Sequence, residues 1–155
     1  MSTLSPTLRT TVTRETHRAV AERGRMLALL GDALLAHLGA IVTRDGVAHP
    51  VVLPMAFAVD PDGPDADGTL YLHGSTGAGW LRTALASDVC VTITELDGLV
   101  AARSGMEHSM NYRSAVIIGR ARTVEDPAER ARALDMIVDH MIPGRAATLW
   151  PPTRK

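Results

Sequence analysis

Two stretches of the chain repeat apolar residues at the spacing of an amphipathic helix. In residues 21–33 the apolar positions fall on one helical face, and they are Met26, Leu27, Leu29, Leu30 and Ala33. In the second stretch, Asp126 is a typical N-cap, Pro127 suits the first helical position, and Glu129 follows in the first turn. An apolar stripe continues to Met141 before Pro143 and Gly144 end the pattern. We therefore predict a helix in each stretch.

Other stretches are rich in β-branched residues and are bounded by turn signals, which is typical of strands. Residues 34–42 and 47–59 flank Arg44, Asp45 and Gly46, a hairpin signal. Because proline cannot donate to a ladder, Pro50 and Pro54 place the second strand at an edge, at a bulge or against a ligand. Further strands are predicted over residues 69–73, 88–95, 99–103 and 114–124, with a turn at 96–98.

Six strands joined by hairpins, with short helices at three points, predict a mainly β (α+β) fold. The arrangement that suits them is a six-stranded antiparallel split β-barrel, closed or half-closed, with flanking helices. A length of 155 residues with 46% hydrophobic content is sufficient for one domain with a core. Residues 1–14 contain no acid and are predicted to form an extended N-terminal arm, followed by the domain over residues 15–155.

The charge balance argues against several classes of partner. Sixteen Lys+Arg against seventeen Asp+Glu give a net charge of −1, so no broad field favours nucleic acid or an anionic membrane. The apolar runs are too short to span a bilayer, and we expect a cytoplasmic protein with no membrane partner. His17 and His108 have no further ligand at a suitable spacing, so no metal site is expected.

The segment from Tyr71 to Arg82 runs from a predicted strand through small residues into a predicted helix at 77–86. Backbone N–H groups of such a turn point outward, and an arginine such as Arg82 can add a charge-assisted contact. The segment therefore has the composition of a phosphate site. It matches neither the dinucleotide fingerprint nor the Walker pattern, and taken alone the segment is better explained by a purely steric role for its glycines.

Several motifs follow one another along the chain, at residues 71–75 (YLHGS), 91–94 (VTIT), 96–100 (LDGLV), 109–114 (SMNYRS) and 119–121 (GRA). In order and spacing they resemble the flavin-nucleotide-binding branch of the pyridoxamine 5′-phosphate oxidase-like split-barrel proteins, which includes nitroimidazole-resistance proteins. The resemblance covers about residues 14–153. Members of this family usually continue beyond the last matching residues, so the domain is expected to be incomplete at its C-terminus.

The resemblance implies an FMN-binding homodimer with the cofactor in a groove between subunits. The strand containing Pro54 and Met55 would pass along the isoalloxazine ring, and a second set of residues would lie near the flavin phosphate: Ser75, Thr76, Gly77 and Arg82. A third set would lie beside the cofactor: Tyr112, Arg113 and Ser114. His73 matches a histidine that some relatives place near the flavin or a bound small molecule, and it is the candidate catalytic residue.

The function implied by the resemblance is that of an oxidoreductase. Electrons would pass from a nicotinamide donor through FMN to a small, for example nitro-aromatic, acceptor, with His73 orienting or protonating it. A non-catalytic flavin-storage protein and a haem- or deazaflavin-binding relative are the alternatives. Each candidate residue also has a structural interpretation: His73 in a barrel wall, Arg113 in a salt bridge and Arg82 on a helix surface.

Overall fold

The computed structural model describes residues 3–4, 7–75 and 79–150. In these residues the strands are β1 (Ala36–Arg44), β2 (Val47–Met55), β3 (Phe57–Asp60), β4 (Thr69–Leu72), β5 (Asp88–Val100) and β6 (Ser109–Arg120). The α-helices are α1 (Arg23–Asp32), α2 (Gly79–Ala84) and α3 (Pro127–Met141). All strand pairs are antiparallel, which confirms the prediction of a mainly β protein with short helices.

The predicted six-stranded split barrel is confirmed only in its six antiparallel strands, which do not join in one closed barrel in the described residues. Strands β2, β1, β5 and β6 form a four-stranded sheet in that order, and β3 and β4 form a separate pair. The division arises at Ala56, where the predicted strand 47–59 changes partner: Met55 pairs with Ala36, whereas Phe57 pairs with Leu72. Both Met55 and Phe57 are buried in the same core, so the break allows the two sheets to cover it together.

The turn predicted at residues 96–98 is also wrong. Strand β5 continues through it, and the register with β6 shifts between Leu96 and Gly98, so Asp97 is an extra residue in a β-bulge. Asp and Gly favour bulges as well as turns, and sequence pattern alone does not separate the two. The two predicted strands therefore form one long strand, and β6 begins earlier than predicted, at Ser109.

Several local predictions are confirmed. Asp45 and Gly46 have φ angles of 51° and 77°, as a two-residue hairpin turn between β1 and β2 requires. Strand β2 lies at the edge of the four-stranded sheet. No strand in the described part of the chain pairs with its free edge, so the missing N–H groups of Pro50 and Pro54 interrupt no hydrogen bonds there. The Asp126 carboxylate accepts from the Glu129 N–H at 2.7 Å and caps α3.

The core lies on one face of the four-stranded sheet. Alternate residues of β1 and β5, including Leu38, Val91 and Ile93, are buried there against α1, α2 and Phe57. Because side chains alternate between faces, the next residues along each strand point to the opposite, outer face. A second cluster joins α3 to the two-stranded sheet through Ala58, Tyr71, Ala133 and Ile137.

Candidate functional site

A groove lies between the β1–β2 hairpin and α2, with a volume of about 510 Å³. Its walls combine apolar side chains with a few polar ones, and the lining residues are Val42, Thr43, Arg44, His49, Val51, Leu53, Gly79, Trp80 and Thr83. The pairing of β1 with β2 explains why Val42 and His49 both line the groove, because they lie opposite each other on the sheet face toward α2. The size and the mixed lining are those of a site for a small molecule or cofactor.

Arg44 is the cationic side chain of this groove. Within the described residues it makes no ion pair, and no carboxylate lines the groove. Trp80 adds an aromatic face, and His49 lies near Arg44 with its Nδ1 3.4 Å from the Val47 carbonyl oxygen. The groove is therefore suited to an anionic molecule with a planar apolar part.

The predicted phosphate loop is held against the end of β2. A Cβ atom on Gly74 would lie 3.0 Å from Met55 Cε and 3.1 Å from Leu81 Cδ2, so any larger residue would require these two side chains to shift by a few tenths of an ångström. The His73 N–H donates to the Ala56 carbonyl oxygen at 3.0 Å. These contacts bring Met55, the loop at 73–75 and α2 together.

The predicted residues around this loop occupy different environments. Met55 is buried, whereas His73, Ser75 and Arg82 are exposed. Helix α2 ends at Ala84, two residues before the predicted end, and Arg82 lies outside the groove lining while its neighbour Thr83 is part of it. Thr76 and Gly77 fall in 76–78, outside the described residues.

The remaining predicted ligands lie at the far edge of the four-stranded sheet. Tyr112, Arg113 and Ser114 belong to β6, whereas Pro54 belongs to β2, and strands β1 and β5 separate them. Three strand spacings amount to about 14 Å. Tyr112 and Ser114 lie on the outer face, with Leu96 and Thr94 opposite them on β5. One chain therefore does not gather all the predicted ligands into one pocket.

Arg113 points to the inner face and already has two partners. Its Nε donates to Asp97 at 3.0 Å, and its Nη1 donates to Asp32, the last residue of α1, at 3.2 Å. The Asp97 carboxylate and then the Asp32 carboxylate raise the pKa of Arg113 above its usual value. A direct contact between Arg113 and a cofactor would require the guanidinium to leave these carboxylates.

A second cavity of about 550 Å³ lies between β3 and α3. Its ionisable groups are mostly engaged in the fold: Arg132 pairs with Asp60, Asp139 accepts from the Ala146 N–H, and His140 lies 2.7 Å from the Ala33 carbonyl oxygen. Groups held in this way stabilise the packing of α3. We therefore favour the groove with the unpaired Arg44 as the functional site.

Arg44, His49 and Trp80 were not among the residues predicted from the sequence. The hairpin signal around Arg44 was recognised, but only the packing of α2 on β1 shows that this end of the hairpin faces a groove. No group of three or more metal-ligating side chains occurs within the described ranges, and the expected absence of a metal remains a prediction. None of the helices in the described part of the chain is long and apolar enough to cross a membrane.

Comparison with known proteins gives a family match and three informative structures. The flavocytochrome Anf3 from Azotobacter vinelandii is 36% identical, with a TM-score of 0.76 over 96% of this chain and 65% of that chain. An FAD and heme binding protein from Mycobacterium smegmatis is 40% identical, with a TM-score of 0.67 over 86% of this chain and 60% of that chain. A protein described as a 5-nitroimidazole antibiotic resistance protein from Bacteroides thetaiotaomicron is 28% identical, with a TM-score of 0.59 over 78% of this chain and 67% of that chain.

The chain thus spans about two thirds of the length of these solved structures. No curated protein matches it. The family model described as pyridoxamine 5′-phosphate oxidase matches residues 22–155, which is most of the chain. The resemblance deduced from residues 71–121 is therefore confirmed, and the chain belongs to the pyridoxamine 5′-phosphate oxidase family.

Proposed function

We propose that this protein binds a flavin, with FMN as the expected form, and acts as an oxidoreductase on a small acceptor. The observation that carries this proposal is the family match over residues 22–155, together with a flavocytochrome and an FAD-binding protein among its structural relatives. The groove between the β1–β2 hairpin and α2 supports it, because its volume, its aromatic wall and its unpaired cation suit a flavin nucleotide.

A bound flavin would supply the electron chemistry, and the chain would supply binding and orientation. In this proposal Arg82 offers a cationic group and Ser75 a hydroxyl to the phosphate, and Arg44, at the other end of β2, contacts a different polar group of the nucleotide. Trp80 and Leu53 exclude water from the apolar part of the groove. His73, exposed at the start of this loop, orients the acceptor or donates a proton to it.

The proposal includes a homodimer with the cofactor at the subunit interface. In one chain, Tyr112 and Ser114 lie across the sheet from Pro54, so a second copy is required if all three contact the same cofactor. Large apolar residues are exposed on the outer face of the sheet, opposite to the groove, and a second copy could pack on them: Ile41, Val52 and Val116. We also propose that the protein acts in the cytoplasm.

Two of the relatives favour a second candidate function. One is a flavocytochrome and the other binds FAD and heme, and both are more than 30% identical to this chain. The second candidate is therefore a protein that carries FAD, haem or both. Flavin storage without turnover, and binding of a deazaflavin, are the remaining alternatives.

The visible absorbance spectrum of the purified protein, followed by mass spectrometry of the released cofactor, tests these proposals. Flavin bands with a released mass of FMN are expected, whereas FAD or a Soret band would establish the second candidate. Arg44→Ala should weaken flavin affinity by about tenfold or more, since a charge-assisted contact is lost. Arg103→Ala, which also removes an exposed arginine, should leave the affinity unchanged.

Turnover separates an enzyme from a storage protein. The flavin-loaded protein should oxidise NADH or NADPH in the presence of a nitro-aromatic acceptor, and His73→Ala should slow this reaction without releasing the flavin. If the loaded protein oxidises neither donor with any acceptor, the oxidoreductase proposal is wrong and storage is favoured. A protein that retains no flavin at all would overturn the flavin proposal itself.

A further inference from the structure

The groove between the β1–β2 hairpin and α2 is not uniform in its chemistry. Leu53 and Val51 give it apolar walls in the part of β2 that leads toward Met55, and Met55 lies against Gly74 of the candidate phosphate loop. At the hairpin end of β2 the lining includes Arg44, the last residue of β1. A molecule that lies along β2 therefore has the loop at one end, apolar walls beside it and a cation at the other end.

The charge of Arg44 is available to a bound molecule. Among the described residues it has no carboxylate partner, and no acid belongs to the groove lining. The adjacent Asp45 lies in the hairpin turn, with a φ of 51°, and is not part of the lining. His49, the other ionisable group of the lining, has its Nδ1 3.4 Å from the Val47 carbonyl oxygen and brings no negative charge. A negative group in this part of the groove would therefore meet an uncompensated cation.

An arginine can recognise two different parts of a flavin nucleotide, and the two respond differently to reduction. The phosphate carries the same charge in the oxidised and the reduced cofactor. Hydride transfer from a nicotinamide donor moves two electrons and one proton, releases the oxidised donor and leaves one extra negative charge on the pyrimidine part of the flavin ring. A cation at the phosphate therefore stabilises both redox forms equally, whereas a cation beside the pyrimidine part stabilises the reduced form more.

We propose that Arg44 contacts the pyrimidine edge of the flavin ring and raises the reduction potential of the bound flavin. This inference rests on the proposed flavin binding and identifies the polar group that Arg44 contacts. Phosphate and ring lie at opposite ends of FMN, so a phosphate held by Ser75 and Arg82 directs the ring along β2 toward the hairpin. Leu53 and Val51 suit the apolar faces of the ring, and Arg44 suits its polar edge. A higher potential makes reduction by a nicotinamide donor more favourable.

The reduction potential of the flavin bound to the full chain, measured by equilibration with a reference dye, tests this role. Arg44→Gln should weaken binding of the reduced flavin about tenfold more than binding of the oxidised flavin, because only the reduced ring carries the extra charge. By linkage, a difference of about tenfold lowers the two-electron potential by about 30 mV. Arg44→Lys keeps the charge but not the planar fork, so it should restore part of the loss.

Two further variants separate an effect on the ring from an effect on the phosphate or on the overall charge. Arg82→Gln removes the cation assigned to the phosphate, so it should weaken binding of both redox forms equally and leave the potential unchanged. Arg103→Gln removes an exposed cation outside the groove lining and should change neither the affinity nor the potential. An Arg44→Gln protein that loses the same affinity for both forms, or for neither, keeps the potential of the parent chain and overturns the proposal.

The proposed function and the role of Arg44 fail in different ways. A parent chain that retains no flavin overturns the proposed function, and the role of Arg44 with it. A parent chain that retains flavin, with an Arg44→Gln variant of unchanged potential, overturns only the role of Arg44 and leaves flavin binding intact. A fall in potential in Arg44→Gln that is absent from Arg82→Gln and Arg103→Gln supports both.

Discussion

The hydroxyl of Tyr71 donates to Oε1 of Glu129 at 3.1 Å, which joins the buried strand β4 to the first turn of α3. Arg122 extends the contact, donating to Glu129 at 2.6 Å and to Asp65 at 3.2 Å. Strand β4 leads directly into the loop at residues 73–75. The cluster therefore fixes the strand that carries the candidate phosphate loop against the C-terminal helix.

Tyr71→Phe should lower the free energy of unfolding by about 1–2 kcal/mol, because it removes the hydroxyl from a buried site where both Glu129 and Arg132 contact it. Urea unfolding of the variant and the parent chain measures the difference. Tyr112→Phe, which removes the same atom from an exposed tyrosine, should change the free energy much less. Equal losses in the two variants would show that the buried hydrogen bond contributes nothing specific.

Stability should fall in acid as this cluster is protonated. Hydrogen bonds from Arg122, and then from Thr69, lower the pKa of Asp65 below 3.8, and hydrogen bonds from Arg122 lower the pKa of Glu129 below 4.5. The unfolded chain therefore binds more protons in this range than the folded chain. The stability that ionised Asp65 and Glu129 contribute is fully present at pH values above the pKa values of the unfolded chain. It is lost as the pH falls through the lower pKa values of the folded chain.

The midpoint of urea unfolding, measured from about pH 7 to about pH 3, tests this dependence. Glu129→Gln should unfold more easily near neutral pH and should lose less stability on acidification than the parent chain does. Glu107→Gln, an exposed position away from the cluster, should follow the parent curve. Parallel curves for Glu129→Gln and the parent would contradict the assignment.

The cap of α3 gives a third prediction. Asp126→Ala should lower the free energy of unfolding by about 1 kcal/mol, since the Glu129 N–H loses its acceptor at the start of the helix. Asp126→Ser should restore most of the loss, because serine is also a good N-cap. Thermal unfolding followed by circular dichroism compares the three proteins, and identical midpoints for alanine and serine would argue against capping.

Gly74→Ala tests the close packing of the candidate phosphate loop. The added methyl group would meet Met55 and Leu81 at about 3 Å, and their displacement should cost about 1 kcal/mol in the free energy of unfolding. The shifted loop should also weaken flavin retention in an equilibrium titration. Gly105→Ala is the control, because a Cβ atom there meets nothing within 4 Å. Similar behaviour of the two variants would show that the loop tolerates the displacement.

Local chemistry predicted much of the fold. The turn at Asp45 and Gly46 and the Asp126 cap were deduced correctly, because each depends on φ preferences or donors within a few residues. For Pro50 and Pro54 the sequence left an edge, a bulge and a ligand open, and the structure shows the edge. The ordered motifs also indicated the family. Both major errors concern residues whose local preference has two outcomes: Asp97 can turn or bulge, and Ala56 can continue a strand or change its partner.

The sequence by itself determined the number and type of most elements, the family and the loop at residues 73–75, since these depend on periodicity and short-range order. Only the tertiary structure decided that the strands form two sheets, that Arg44 and Trp80 line one groove, and that Arg113 is paired with Asp32 and Asp97. The physical reason is that strand pairing and helix docking bring together residues that are distant in sequence. Their partners are chosen by packing of the whole core, which local pattern does not encode.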